Sequence, residues 1–183
     1  MNKNHYIDIE IQESLDFLEE LCEREIIHYP IDFEIYRSSD HELSETLKSW
    51  FGSDRWSEDG DCFWQFGQDG SGSLFLLWYY PSLEIEPPVV FLGSEGESCI
   101  FAASVNDFIQ QLASGKLFCP YGDNICSWLN PDDEEKEQLD WHKLKITVEN
   151  KLGKSTVSPE EIRDKALKTH PDFSSWIETK IDY

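Results

Sequence analysis

Basic residues are scarce in this chain. Fifteen Lys and Arg stand against 37 Asp and Glu in 183 residues, a formal net charge of −22. A field of that sign repels phosphate backbones and anionic lipid, so nucleic acid and membrane surfaces are poor partners and a cationic one is favoured. Long apolar runs are missing too. The longest, Leu74 to Pro81, falls far short of the ~20 residues that a spanning helix needs. Met1 to Asp8 has neither the basic start nor the apolar core of a secretion signal. The expectation is a cytoplasmic protein. Cysteine is sparse and unpatterned: Cys22, Cys62, Cys99, Cys119 and Cys126 form no C-x-x-C pair, which argues against a zinc site and a disulfide framework. Cys22 and Cys99 sit among apolar neighbours and read as small buried thiols of a reducing compartment.

What is present is enough for a packed core. Aromatic residues make up 14% of the chain, seven of them Trp, which sets it apart from a disordered polyanion. A chain of this length buries about 70% of its extended surface on folding and needs no metal or disulfide to do so. The charge is uneven. Residues 1–115 hold 23 acids against five bases, net −18, and residues 116–183 hold 14 against ten, net −4. That concentration points to a functional face in the first part.

Capping and periodicity place the elements. Leu15, Leu18, Leu21 and Cys22 recur at helical spacing over Ser14 to Glu25. Ile31, Phe33 and Ile35 alternate with acids, as in a half-buried strand or connector. Ser39 and Glu42 form a capping box for a helix that Gly52 ends. Cys62–Phe66 and Ser73–Tyr80 flank a glycine-rich turn with an Asp69-Gly70 pair, a hairpin signal. Val89–Leu92 and Cys99–Ala103 read as two more strands, and Ser104 with Asp107 caps a helix over 105–114. Consecutive hairpins followed by a helix predict an α+β fold: an antiparallel sheet with helices 14–25 and 105–114 packed on one side. Cys119 to Leu129 reads as a loop. A long helix over 131–152, opened by Asn130-Pro131, and a shorter one over 159–169 follow, with a last turn from Asp172. The chain thus divides into an α+β domain over 1–115 and a helical extension over 116–183 that packs back on it.

Assembled chemistry is hard to find. The Gly67–Gly72 segment has a strand after it and no Lys nearby, so it lacks what a phosphate cradle requires. The five His are scattered, with none beside a nucleophile signature. Counting an EF-hand loop from Asp59 puts Gly70 where the closing Glu belongs. Asp132 to Glu135 crowd the first turn of a helix, where its dipole accounts for them. The reading is a protein without catalytic apparatus, cofactor or metal. The segment Ser53 to Asp61 is a polar, acidic loop around Trp56. That Trp reads either as a hot spot for a basic partner or as an anchor packed back on the sheet.

The stretch Trp64-Gln65-Phe66-Gly67-Gln68-Asp69-Gly70-Ser71-Gly72, with Leu77-Trp78, then Pro88 to Gly96, Ala103-Ser104, Asp107-Phe108 and Leu112 to Gly115, resembles the SUKH superfamily. That superfamily includes bacterial toxin-immunity proteins and homologues of a fungal cell-wall-assembly regulator. The resemblance covers about Ser14 to Gly115, and the part after Gly115 departs from the general pattern. It implies a helix-flanked sheet, no cofactor, and binding of a secreted polymorphic toxin, often a nuclease. With the acidity it predicts an immunity protein for a basic toxin, the alternative being a regulatory or scaffold module for a cellular partner. The expected contact residues are Asp54, Trp56, Glu58, Asp59 and Asp61, with Asp69, Glu84, Glu86, Glu95 and Glu97 on neighbouring turns.

Overall fold

A computed structural model describes residues 8–120 and 127–181. The first helix, α1 (Ile9–Glu23), starts where the Asp8 carboxylate accepts from the Glu10 N–H, one turn earlier than the apolar spacing alone suggests. It buries Ile11, Leu15, Leu18 and Leu21, the 3–4 spacing of an amphipathic stripe. A two-residue strand, β1 (Glu34–Ile35), leads to α2 (Asp40–Phe51), which opens on the Ser39/Glu42 capping box and ends at Gly52, φ +72°.

The sheet is an antiparallel meander, β1 to β5 in chain order, completed by β2 (Cys62–Gln68), β3 (Leu74–Tyr79), β4 (Val89–Leu92) and β5 (Ser98–Ala102). In β2 the register shifts between Gln65 and Gly67. A Cβ on Gly67 would overlap the Phe33 ring, so glycine is required by that close approach. The β2–β3 turn is not built on positive φ at Asp69-Gly70. The Asp69 side chain instead accepts from the Ser71 and Ser73 N–H groups at 2.9 and 2.8 Å, and positive φ falls on Gly72.

Helices cover both faces of the sheet. The helices expected over 14–25 and 105–114 do share one face, and the second face, for which no helical cover was expected, is buried as well. Side chains alternate along a strand, so β3 sends Phe75 and Leu77 to one face and Leu74, Leu76 and Trp78 to the other. The first face packs against α1 and α3 (Val105–Leu112), and the second against α2. An uninterrupted apolar run such as Leu74 to Tyr79 is what a strand buried on both sides needs.

Residues after Gly115 contribute to both cores. Where a loop was expected, Leu117–Cys119 (β6) pairs with Ser127–Leu129 (β7) as a two-stranded ribbon. The expected 131–152 helix is two: α4 (Asp133–Gln138), capped by Asp132, and α5 (Trp141–Leu152), capped by Asp140, which accepts from the Lys143 N–H at 2.9 Å. Helix α6 (Pro159–Thr169) lies along β5, and α7 (Phe173–Glu178) closes the second face. Trp128, Leu144, Val148 and Ile162 join the first core; Ala166, Phe173 and Ile177 join the second. The Asp107 carboxylate, buried at 4% side-chain exposure, meets the ammonium groups of Lys165 and Lys154 and so ties α3 to the later segments.

Cys99 is disulfide-bonded, whereas Cys22 and Cys119 are free thiols. The buried-thiol reading therefore fails at Cys99, because apolar neighbours suit a disulfide as well as a thiol. Burial pushes the Cys22 thiol up to about 11, with the Glu19 charge adding to it. Among the described residues no helix is long and apolar enough to cross a membrane.

Candidate protein-binding surface

The meander separates the expected contact residues into two sets. The 54–61 loop enters β2 and the β3–β4 connection carries Glu84 and Glu86, so these lie at one end of the sheet, where a Cβ on Gly60 would touch Pro81. Asp69, Glu95 and Glu97 sit on the β2–β3 and β4–β5 turns at the other end. Six residues of β3, ~20 Å of extended chain, lie between the ends. The ten do not form one patch.

Within the first set several side chains are already engaged. Asp61 is 5% exposed and its carboxylate accepts from Trp78 Nε1 at 2.9 Å. It is a core residue and drops out of the expected surface: the charge that suggested a loop residue instead satisfies a buried indole. Trp56, in a 3₁₀ turn over Arg55–Ser57, is half-buried with its ring 5.9 Å from that of Phe63. The anchor alternative holds for it. Asp59 pairs with Lys180 and Asp54 with Lys48 at 3.2 Å, while Arg55 donates to the Thr179 carbonyl at 3.1 Å. The loop is thereby fastened to α2 and to the end of α7. Glu58 remains exposed. At the far end Asp69 is spent on its own turn, Glu97 is half-buried against Gly93, and Glu95 is exposed.

A groove that the sequence did not single out lies at the first end, between the opening turn of α1 and the β3–β4 connection. Asp8, Glu10, Glu84 and Glu86 line it, over a floor that includes Ile11, Leu83 and Pro87. Two large apolar side chains stand open beside these acids: Ile85 is 52% exposed and Ile9 75%. Glu86 also accepts from the Val105 N–H at 3.2 Å, which holds it at the start of α3. Burial pushes the Glu86 carboxyl above its ordinary value; the Val105 N–H opposes this, and the Asp107 and Glu10 charges reinforce it. Tyr79 lines the same groove, its phenol pushed up to about 12, mainly by burial. A partner ammonium or guanidinium entering here relieves that crowding of negative charge. The signal in the sequence is the Glu84-Ile85-Glu86 triplet, an apolar residue between acids in a loop. Only the fold brings Asp8 and Glu10 to it.

Comparison with family models, curated proteins and solved structures finds no match to this chain.

Proposed function

We propose that the protein is a binding module that neutralises a basic partner, an immunity-type protein for a polymorphic toxin such as a nuclease. The SUKH-like sequence pattern motivates the toxin. The observation that carries the binding reading is the groove where Ile85 stands exposed among Asp8, Glu10 and Glu84, with the exposed Ile9 on the adjoining first turn of α1. Exposed apolar side chains rimmed by one sign of charge combine the two parts of a protein interface, a desolvated centre and a steering rim. The net −18 over residues 1–115 extends that field beyond the groove. Opposite charge on the partner raises association on the order of tenfold to a thousandfold at low salt.

The test is co-expression with the toxin candidate encoded next to this gene, scored by survival, followed by binding kinetics. Wild type should protect. The double reversal Glu10→Lys with Glu84→Lys should slow association on the order of tenfold at low salt, and Ile85→Ala should speed dissociation. Unchanged kinetics in both variants would remove the groove from the interface. Failure of the wild type to protect would overturn the immunity reading and leave the regulatory alternative.

A further inference from the structure

The first turn of α3 gathers two carboxylates from different parts of the chain. Glu86, in the β3–β4 connection, accepts from the Val105 N–H at 3.2 Å. Asp107, two residues further into the same turn, has a side chain only 4% exposed. A helix start favours negative charge. Two carboxylates at one start oppose each other, however, and the Asp107 charge works against ionisation of Glu86.

Two lysines of the extension converge on Asp107. Lys165 from α6 pairs with its carboxylate, Lys154 approaches it at 3.4 Å, and Gln110 Nε2 donates to it at 3.3 Å. The two lysine side chains are 47% and 57% exposed. They oppose a buried charge while keeping much of their own hydration, the loss of which is the usual cost of a buried pair. The charge of Lys165 also reaches Glu86, where it favours the ionised form against Asp107 and against Glu10 from α1. The other titratable groups lining the groove are Asp8, Glu84 and Tyr79 of β3, so among the described residues no cation lines it.

We propose that Lys165 and Lys154 tune the binding groove through Asp107: the extension offsets the charge behind Glu86, so that the groove presents Glu86 to a partner as a free carboxylate. This rests on the groove being the binding surface, and it makes the extension part of that surface's electrostatics as well as of the fold. Neither lysine lines the groove, so neither has to touch the partner.

If the ion pair only tied α3 to α6, breaking it from either side would loosen the same turn and move Glu86 in one direction. A charge relay moves it in opposite directions. The measurement is the titration of Glu86, followed by NMR of its carboxyl carbon and assigned by the loss of that signal in Glu86→Gln. Lys165→Met removes a positive charge, and the proton affinity of Glu86 should rise about threefold, which allows for solvent screening of a half-exposed lysine. Asp107→Asn removes the negative charge, and the affinity should fall by a similar factor. Lys165→Arg should keep the wild-type midpoint. Asp107→Asn is nearly isosteric and leaves the Ser104 hydroxyl on the N–H of residue 107, so it tests the sign by itself where Lys165→Met does not fold. Shifts in the same direction, or an unmoved midpoint in Asp107→Asn, would overturn the proposal. The titration needs no partner, so that result leaves the groove reading standing, and failure of the survival assay leaves the titration untouched.

Discussion

The carboxylate of Asp61 lies 2.9 Å from Nε1 of Trp78, with both residues withdrawn from solvent. Trp78 also packs against Phe173 and Trp176 at 4.9 and 5.2 Å, so its indole is held on the apolar side by α7 and on the polar side by Asp61. This one pairing joins the acidic loop, the middle of the sheet and the last helix.

Asp61→Ala therefore acts on folding. It leaves the buried Trp78 N–H without an acceptor, which costs about 1–3 kcal/mol. Glu58→Ala, three residues earlier on an exposed carboxylate, should change stability by less than about 0.5 kcal/mol. Urea denaturation of the two variants distinguishes them. Equal and small effects would mean that the Asp61–Trp78 bond contributes nothing net.

Much of the architecture was legible in local signals. The Ser39/Glu42 box and the Ser104 cap fall where the sequence placed them, because a cap is a short-range pattern satisfied by its own helix. Asp140 carries the same kind of signal, but its place inside what read as one helix over 131–152 hid the break between α4 and α5. Two-sided burial of the sheet was written in the uninterrupted run Leu74 to Tyr79, yet the covering residues, Phe173 and Ile177, lie about a hundred positions away. The site was less legible for the same reason. An Asp reads as surface until the indole it serves is known, and Asp8 meets Glu84 only through the packing of α1 on the sheet.

A pH effect follows from His170. It is buried, its Nε2 is 3.1 Å from the Ala103 carbonyl, and its Nδ1 is 3.1 Å from Tyr80 Oη. A carbonyl only accepts, so Nε2 carries the proton and Nδ1 is free to accept from the phenol. Burial, the largest influence, lowers its pKa below the ordinary 6.5; the Ala103 bond opposes this and the Lys165 charge adds to it. Between the lowered value and 6.5 the unfolded chain holds a proton that the folded chain lacks, so stability rises with pH and falls as pH drops through this window. Melting at a series of values from about pH 7.5 to 5.5 should show a decline that is shallower in His170→Gln. Parallel curves for the two proteins would exclude His170 as the source.

The last prediction concerns residues 116–183. If they were an appendage, removing them would leave the preceding domain intact. Their packing says otherwise. Phe173 is fully buried, 4.9 Å from Trp78 and stacked on Trp176 at 5.6 Å with 10° between the planes, and it also faces Phe63 at 6.4 Å. On the opposite face Leu144 and Val148 are fully buried in the core that contains α1 and α3. Phe173→Ala should cost about 3–5 kcal/mol, the usual range for emptying a buried aromatic site, and lower the melting temperature on the order of 10 °C for a domain of this size. Termination after Gly115 strips apolar cover from both faces of the sheet at once, and that fragment should show no cooperative melting. The graded effect of Phe173→Ala separates lost packing from a simple failure of the truncated chain to express. A fragment that melts like the full chain, with a near-neutral Phe173→Ala, would establish the extension as an independent unit.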